Sequence, residues 1–365
     1  MTEAPAEENV LVERVGRAGH IVLNRPRAIN ALSHDMVRTF DKALTRWERD
    51  DAVGAVVVRG AGERGLCAGG DIRSIYEDAR DGDGKAAADF WRDEYVLNAR
   101  IARFAKPYVA IMDGITMGGG VGIAAHGSVR VVTERSTVAM PETGIGFIPD
   151  VGGTYLLARA PGELGTHLAL TGSPIGAGDA LLCDLADVFV PSGRLAEFTA
   201  TLAELDVADA IKRYAGPAPE SALAAERAWI DACYAADTVE EILERLRGSG
   251  DPQATVAAER IAANSPTSVK VTLESLRRAR RLGSLEDVLD QEYRVSCASL
   301  ASPDLVEGIR AQVVDKDRTP HWNPPTLAEV TAHDVERFFA PLGDIELGLG
   351  LGLAPGSTTN SQERW

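Results

Sequence analysis

The sequence is poor in several features that mark particular classes of protein. It has only four cysteines, tens of residues apart, with no Cys-x-x-Cys pair and no histidine at metal-ligand spacing, which argues against a zinc site or a disulfide framework. It contains no run of about 18 apolar residues that could span a membrane. Its first residues, Met-Thr-Glu-Ala-Pro-Ala-Glu-Glu, are acidic where a signal peptide is basic and then apolar.

Positive charge is also scarce. The chain has 38 basic and 54 acidic residues and a net charge of -16, so it has no broad cationic surface for a nucleic acid or an anionic membrane. Any polyanionic ligand must therefore meet a local basic cluster. From these absences we expect a cytoplasmic protein with no nucleic-acid or membrane partner and no metal site.

The rest of the composition is that of a globular protein with a large core, 45% of its 365 residues being hydrophobic. In the first half, β-branched runs alternate with helical patterns, which predicts α/β architecture with largely parallel strands, whereas helix-favouring stretches dominate the second half. The predicted strands are 10–14, 20–23, 55–59, 108–112, 129–132 and 187–190, and the predicted helices are 34–49, 195–214, 221–247, 252–263, 267–282, 285–300 and 303–313. The predicted regions are a disordered N-terminus (1–9), an α/β core (10–190), a helical C-terminal region (191–341) and a flexible tail rich in glycine and leucine (342–365).

Two glycine-rich turns are candidate ligand-binding elements. One spans residues 65–72 and the other spans residues 114–122, and each follows a predicted strand and leads into a helical pattern. Glycine lets the backbone approach a ligand closely, and the first N–H groups of a helix are unpaired. Two such turns can direct two N–H donors at one oxygen, as stabilisation of an enolate or a tetrahedral oxyanion requires. Because the stretch Gly120–Ala125 also fits the dinucleotide-binding pattern G-x-G-x-x-A, a nicotinamide-binding alternative stays open.

A third feature is a pair of acidic residues in an apolar, glycine-rich segment. Glu142 and Asp150 lie eight residues apart between Met140 and Gly153. An apolar setting raises the pKa of a carboxyl group and suits it to proton transfer or nucleophilic attack. The structural alternative is that Glu142 caps a helix and that Asp150 is the N-cap of a helix beginning near Gly152.

Together these features resemble the crotonase (enoyl-CoA hydratase/isomerase) superfamily, and most closely its 3-hydroxyisobutyryl-CoA hydrolase branch. The resemblance covers residues 10–335 and depends on the order of many short motifs. The matching stretches are Leu23-Asn24-Arg25-Pro26, Asn30-Ala31-Leu32, both glycine turns, Met140-Pro141-Glu142-Thr143, Pro149-Asp150-Val151-Gly152-Gly153, Ser265-Pro266-Thr267-Ser268, Glu292-Tyr293-Arg294 and Val314-Asp315-Lys316-Asp317. The resemblance implies a crotonase-like spiral of ββα turns with a helical C-terminal region. It also implies an acyl-CoA substrate and a possible homo-oligomer, a trimer being usual in the superfamily.

The resemblance assigns roles to individual residues. It implies that the N–H groups of Gly70 and Gly119 hold the thioester oxygen, that Glu142 and Asp150 are catalytic and that Glu94 contacts the acyl group. The substrate contacts carried over from the family are Arg25, Ala28, Ala68, Asp71 and Ile72. Arg25, Arg27 or Arg73 would offer positive charge to the phosphates, with a solvated surface charge as the alternative for each. The basic run 277–281 is interpreted as an exposed helix face, with binding of the nucleotide end of the ligand as the alternative.

The hydrolase branch is favoured over the hydratases by two positions. Hydratases carry a second glutamate on the helix after the second glycine turn, and the matching position here is Gly122; Asp150 stands where hydratases commonly have glycine. The resemblance therefore predicts hydrolysis of a short β-hydroxyacyl-CoA, 3-hydroxyisobutyryl-CoA of valine catabolism, with coenzyme A as part of the substrate and no separate cofactor. Whether Glu142 attacks the carbonyl or activates water stays open. The remaining alternatives are an enoyl-CoA hydratase/isomerase, a non-catalytic acyl-CoA binder and an NAD-binding protein.

Overall fold

The computed structural model describes residues 8–350, and nine strands lie within this range. They are β1 (Val10–Val15), β2 (Ala18–Leu23), β3 (Ala55–Gly60), β4 (Gly65–Cys67), β5 (Tyr108–Met112), β6 (Ile115–Met117), β7 (Val129–Val132), β8 (Thr137–Ala139) and β9 (Val188–Phe189). Six of them form one sheet in the order β1-β2-β3-β5-β7-β9. Its strands pair in parallel except for β1, which is antiparallel to β2. All the runs predicted as strands belong to this sheet.

A second sheet, in the order β4-β6-β8, contains only three-residue strands and is parallel throughout. Each short strand follows closely after a strand of the large sheet, so β3-β4, β5-β6 and β7-β8 are successive turns of one repeating unit. This is the ββα spiral that the family resemblance implies, and the α/β prediction is confirmed. The sequence did not predict the short strands because three residues are too few to show an alternating pattern.

Sixteen α-helices lie in the same range. They are α1 (His34–Glu48), α2 (Ile72–Asp81), α3 (Lys85–Ala102), α4 (Gly119–Ala124), α5 (Gly153–Arg159), α6 (Leu164–Thr171), α7 (Ala177–Leu182), α8 (Leu195–Thr201), α9 (Val207–Tyr214), α10 (Ala222–Tyr234), α11 (Val239–Gly248), α12 (Pro252–Ala263), α13 (Pro266–Ala279), α14 (Leu285–Ser299), α15 (Pro303–Ile309) and α16 (Ala332–Arg337). The helical C-terminal region is confirmed, although the stretches predicted as 195–214 and 221–247 are each divided into two helices. None of the described helices combines the length and the apolarity needed to cross a membrane.

The large sheet is covered on both faces. Val56 and Val58 of β3 point into the main core, whereas Val57 between them belongs to the cluster formed with α8 and α9, where Phe198 and Ala210 are buried. A strand that is buried on both faces is apolar at every position, which explains the unbroken valine run. The sheet is therefore a rigid support for the turns at its edge.

The predicted terminal segments fall partly on residues 1–7 and 351–365, which lie outside the described residues. Residues 342–350 are attached to the helical region. Arg294 of α14 forms an ion pair with Glu346 at 2.9 Å. Asp290 accepts hydrogen bonds from the N–H groups of Leu349 and Gly350. The attached region thus extends beyond the predicted boundary at residue 342.

Candidate active site

The two glycine turns meet where adjacent strands end. β4 and β6 are parallel neighbours, so the turns that follow them leave the small sheet side by side. Gly69 and Gly118, with φ of 112° and 50°, adopt backbone conformations that favour glycine. A Cβ atom built on Gly119 would lie 3.3 Å from the amide nitrogen of Gly70. The turns therefore approach each other to contact distance.

Two amide groups at this junction have no protein partner. Within residues 8–350, neither the Gly70 N–H nor the Gly119 N–H donates to a protein acceptor, whereas the N–H groups of Asp71 and Val121 nearby are paired. Both glycines line a cavity of about 400 Å³. Gly119 is buried and Gly70 is half-buried; since buried N–H groups are almost always hydrogen-bonded, two unpaired N–H groups beside a cavity are a candidate site for a ligand oxygen.

Three carboxyl side chains reach the same cavity from different elements. Glu94 lies in the middle of α3, Glu142 begins a 3₁₀ turn and Asp150 precedes α5. They are almost completely buried, with 2%, 6% and 6% exposure respectively. A Cβ atom on Gly118 would lie 2.9 Å from Glu142 Oε1, and one on Gly119 would lie 2.6 Å from Glu94 Oε1. The two glutamates therefore lie directly against the second glycine turn.

Burial and mutual repulsion raise the pKa of these carboxyl groups. Desolvation raises the pKa of Glu94 and Glu142 well above the usual range of glutamate, and the charge of Asp150 raises both further. Desolvation also raises the pKa of Asp150 to about 7, although the hydrogen bond from Tyr95 opposes the rise. Carboxyl groups this close do not all ionise at once. Near neutral pH the cluster therefore holds protons that can be transferred.

Glu94 and Glu142 have unpaired oxygens. Glu94 Oε1 and Glu142 Oε2 are buried and have no hydrogen-bond partner among the described residues. An unsatisfied buried polar group costs about 1–3 kcal/mol, and native proteins contain few of them. The side chain of Glu142 makes no capping hydrogen bond, and the N-cap of its 3₁₀ turn is Pro141. The capping alternative is therefore wrong for Glu142, whose position suits contact with a ligand.

Asp150 is held by a chain of hydroxyl groups. Tyr95 donates its hydroxyl hydrogen to Asp150 Oδ2 over 2.6 Å, and the Tyr95 oxygen lies 2.7 Å from Ser296 Oγ. The N-cap of α5 is Gly152, and no side chain caps this helix. The capping alternative is thus wrong for Asp150 as well.

A fourth buried carboxyl fixes the loop that carries Asp150. Glu292 of α14 accepts hydrogen bonds from the N–H groups of Gly152, at 2.6 Å, and Thr154, at 2.9 Å, and from the Thr154 hydroxyl. Within this loop Val151 has φ 53°, which is strained for a β-branched residue. Glu292 therefore stabilises a loop conformation that the local sequence disfavours.

Gly122, at the position of the second hydratase glutamate, has no room for a side chain. A Cβ atom there would lie 2.6 Å from Val151 Cβ and 2.9 Å from Asn98 Nδ2. The site thus differs from a two-glutamate site in its packing as well as in residue type. Gly120 and Gly122 lie inside α4, and Gly120 packs against Cys67. Close packing therefore explains the G-x-G-x-x-A pattern without a bound dinucleotide.

Apolar side chains form the remaining wall of the cavity. Phe90, Trp91 and Phe147 line it, and the rings of Trp91 and Phe147 stack with centroids 5.2 Å apart. The C-terminal helices contribute a further group of lining residues, namely Asn264, Leu305, Ile309, Gln312 and Val313. Two of the predicted substrate contacts, Ala68 and Ile72, are also part of the lining. The cavity therefore combines apolar and aromatic lining with its acidic cluster.

The other predicted substrate contacts do not line the cavity. Arg25 forms an ion pair with Asp71 at 2.9 Å and donates to the carbonyl of Ala31, and Ala28 is exposed. Arg73 donates to the carbonyl of Val313. The contact of Arg25 with the substrate phosphates stays a prediction, as do the predicted positions of Ala28 and Asp71 in the coenzyme A site.

The basic run 277–281 is largely engaged within the protein. Arg277 and Arg280 both pair with Glu163, and Arg278 pairs with Glu274. The Glu163 pairs are half-buried and connect α6 to the end of α13, whereas the Arg278–Glu274 pair lies within α13. They give the run a structural role between α6 and α13.

Sequence reasoning missed the partners of Asp150. Ser296 lies in the predicted helix 285–300, Tyr95 lies in a stretch with no predicted element, neither was given a role, and 201 positions separate the two. Glu292 belongs to a stretch that matches the family, and 140 positions separate it from Gly152. No local pattern connects residues so far apart. The one available signal was the occurrence of Glu292 in a motif without an assigned role.

Comparison with known proteins agrees with this geometry. Residues 18–339 match the family model described as enoyl-CoA hydratase/isomerase. The chain is 42% identical to the mitochondrial 3-hydroxyisobutyryl-CoA hydrolase of Danio rerio, with 96% of this chain and 94% of the relative covered. It is 43% identical to the protein of the same name from Rattus norvegicus, with 95% and 92% covered. The crystal structure of a carnitinyl-CoA dehydratase from Mycobacterium thermoresistibile superposes with a TM-score of 0.91 at 57% identity, with 93% and 98% covered.

The comparison corrects one expectation. The sequence led us to expect a cytoplasmic protein, but the names of the curated relatives assign them to the mitochondrion. The expectation is therefore wrong. It depended on a short acidic N-terminal stretch, whose residues 1–7 lie outside the described structure.

Proposed function

We propose that this chain, which belongs to the enoyl-CoA hydratase/isomerase family, hydrolyses the thioester of 3-hydroxyisobutyryl-CoA to 3-hydroxyisobutyrate and coenzyme A. The proposal depends above all on one observation: the unpaired N–H groups of Gly70 and Gly119 and three buried carboxyls surround one cavity. The names of the curated relatives support the choice of substrate, and through it a role in valine degradation.

In the proposed reaction, Gly70 and Gly119 donate both N–H groups to the thioester oxygen. Negative charge develops on this oxygen when the carbonyl carbon is attacked, and prearranged donors stabilise that charge. Removing one such donor typically lowers the rate by about 100-fold to 1000-fold. The oxyanion hole is thus formed by backbone atoms, which cannot be removed by substitution but can be obstructed.

Glu142 supplies the attack, either directly or through water. As a nucleophile, its carboxylate forms a bond to the acyl carbon, the C–S bond breaks, coenzyme A leaves as the thiol after protonation, and water then hydrolyses the acyl–glutamyl anhydride. As a general base, it accepts a proton from the water that attacks the same carbon. Asp150 orients the substrate hydroxyl or the water, and Glu94, which lies against Gly119, contacts the acyl group.

The test is a panel of short acyl-CoA thioesters, with and without a 3-hydroxyl group, assayed with a thiol-reactive dye for free coenzyme A. We expect rapid thiol release from 3-hydroxyisobutyryl-CoA and much slower release from isobutyryl-CoA, which lacks the hydroxyl. If no member of the panel releases thiol, the proposed function is wrong.

The two roles of Glu142 are distinguished in a single turnover. An anhydride adds the mass of the acyl group to the peptide that carries Glu142, and its hydrolysis in ¹⁸O-labelled water can leave label in that peptide. A general base gives no adduct and no label in the enzyme. Acid-quenched samples analysed by peptide mass spectrometry separate the two outcomes, and the Glu142→Gln variant is the matched control.

A second candidate function is hydration or dehydration of an acyl-CoA. The solved structure that is 57% identical is that of a protein named as a dehydratase, which favours this candidate, whereas the closed packing at Gly122 opposes it because the second glutamate of the hydratases has no space. A dehydratase would convert a 3-hydroxyacyl-CoA to its unsaturated thioester without releasing thiol. The same panel, followed by mass spectrometry of the thioesters, decides between them.

The proposed reaction needs only water and the thioester. We therefore expect no cofactor apart from the coenzyme A of the substrate, and dialysis against a chelator should leave the activity unchanged. A homo-oligomer, with a trimer as the usual superfamily state, remains a prediction that light scattering can test.

A further inference from the structure

Tyr95 and Ser296 form a buried extension of the acidic cluster. Tyr95 follows Glu94 in α3, Ser296 lies in α14, and neither has any exposed surface. Their hydroxyl oxygens lie 2.7 Å apart, and the Tyr95 hydroxyl is 2.6 Å from Asp150 Oδ2. Ser296 Oγ makes no other hydrogen bond to a side chain in the described residues. The three groups are thus a linear chain that ends at Asp150.

The number of hydrogens limits how such a chain can be arranged. A phenol has one hydrogen to donate and can also accept. When Asp150 is ionised, Tyr95 donates to Oδ2 and accepts from Ser296. When Asp150 is protonated on Oδ2, the carboxyl donates to Tyr95, and Tyr95 turns its own hydrogen toward Ser296 Oγ. In both arrangements the same oxygens remain in contact.

We propose that Tyr95 and Ser296 position Asp150 in both of its protonation states, so that its second oxygen keeps facing the cavity while its charge changes during turnover. This inference rests on the proposed function. Thioester hydrolysis moves one proton from water to the departing sulfur, so the charges beside Asp150 change in each cycle, and Asp150 must orient the substrate hydroxyl or the water whether it is ionised or protonated. The only covalent bond that forms or breaks in this chain is the O–H bond of the Asp150 carboxyl; Tyr95 and Ser296 keep their own hydrogens and reverse only their direction of donation.

The environment of Asp150 makes this support necessary. Each element that packs against Asp150 contributes titratable groups. They are Glu94 and Tyr95 of α3, Glu142 of the 3₁₀ turn, Glu292 of α14 and His126 after α4. Burial disfavours the ionised form of Asp150, and His126 is engaged with the carbonyl of Val151 at 2.8 Å. Tyr95 is therefore the neutral donor that favours the ionised form of Asp150.

The test compares Tyr95→Phe, Ser296→Ala and Tyr293→Phe in the full chain. Tyr293 is the matched control, because its ring packs edge-on against Tyr95 with centroids 6.2 Å apart, but its hydroxyl contacts Arg92 and the carbonyl of Ala88 instead of Asp150. For each variant we would measure thermal unfolding, kcat, KM and the pH dependence of kcat/KM for thiol release. Infrared difference spectra against the Asp150→Asn variant report the ionisation of Asp150 without requiring activity.

Tyr95→Phe should lower kcat by about tenfold or more with little change in KM, since a hydrogen bond to a charged group is lost at an unchanged ring. The ionisation midpoint of Asp150 should move to higher pH, because the lost bond favoured the carboxylate. Ser296→Ala should have a smaller effect that is greatest at low pH, where Tyr95 needs an acceptor. Tyr293→Phe should leave kcat and the midpoint unchanged.

Two outcomes overturn the inference. One is a Tyr95→Phe enzyme with the midpoint of the wild type. The other is an equal loss of kcat in Tyr95→Phe and Tyr293→Phe with no movement of the midpoint, which would show a packing role alone. If Tyr95→Phe does not fold, an unchanged pH profile in Ser296→Ala overturns it. Failure of the proposed function is distinguished by the wild-type protein alone: it would release no thiol, whatever the variants do.

Discussion

The Gly119→Ala substitution tests whether the junction of the glycine turns receives a thioester oxygen. The new methyl group would lie 2.6 Å from Glu94 Oε1 and 3.3 Å from Gly70 N, whereas ordinary contacts of a Cβ atom begin near 3.4 Å. Glu94 can yield because its carboxyl is the end of a flexible side chain, but the backbone of Gly70 cannot. A substrate oxygen must lie about 2.7–3.1 Å from both donors, and the methyl group occupies part of that space.

We expect the Gly119→Ala substitution to leave the N–H group of residue 119 in place and to exclude the thioester oxygen from it. The loss should equal the removal of at least one donor, which is about 100-fold to 1000-fold in kcat/KM, or about 2.7–4 kcal/mol of transition-state stabilisation. Thiol release from 3-hydroxyisobutyryl-CoA measures it, with thermal unfolding as the check on the fold. Gly283→Ala is the matched control, because a Cβ atom there meets nothing within 4 Å and the backbone is not in the left-handed region. A folded Gly119→Ala enzyme within about threefold of wild-type activity would show that no reacting oxygen binds at this junction.

Three further predictions concern the acidic cluster and its surroundings. Glu142→Gln and Asp150→Asn should each abolish thiol release, and substantial turnover in either variant would refute the role of that residue. Burial raises the pKa of Asp150 to about 7, so the folded protein binds this proton more tightly than the unfolded chain does. Asp150 therefore favours the folded state at low pH, and this contribution is lost as the pH rises from the usual pKa of aspartate to about 7. Urea unfolding at pH 5 and pH 8 should therefore show the Asp150→Asn variant gaining stability relative to wild type at the higher pH, and a difference that does not change with pH would contradict this. Gly122→Glu should lower the melting temperature and give no hydration of an enoyl-CoA, since its Cβ atom would lie 2.6 Å from Val151 Cβ; a stable variant with hydratase activity would disprove the packing argument.

The local features of the fold were predictable because local sequence determines them. A strand covered on both faces must be apolar throughout, so the run Val56–Val58 identified β3. The glycine turns were equally visible, and the positive φ of Gly69 and Gly118 gives the reason that glycine is needed there. Positions that one strand or one turn imposes can be identified from the residues alone.

Partnerships between distant residues were not predictable. Arg25 is predicted to contact phosphates, and the structure shows in addition that it pairs with Asp71, 46 positions away. Nothing near Arg25 indicates this, because its residue type suits both roles. The short strands β4, β6 and β8 likewise depend on their neighbours in the small sheet for their register. They could be expected only through the family resemblance.

Comparison of the four buried carboxyl groups shows which structural property distinguishes a group positioned for substrate from a group that stabilises the fold. Burial raises the pKa of Glu94, Glu142, Asp150 and Glu292 alike, so neither burial nor pKa distinguishes them. Hydrogen bonding does, because Glu292 accepts three hydrogen bonds from the loop that it anchors, whereas Glu94 and Glu142 each retain an unpaired buried oxygen. An oxygen that folding leaves unpaired is destabilising unless a ligand pairs with it. Glu94 and Glu142 are therefore the groups positioned for substrate, Glu292 is structural, and Asp150, with one oxygen held by Tyr95, is positioned by the protein and still open to the cavity.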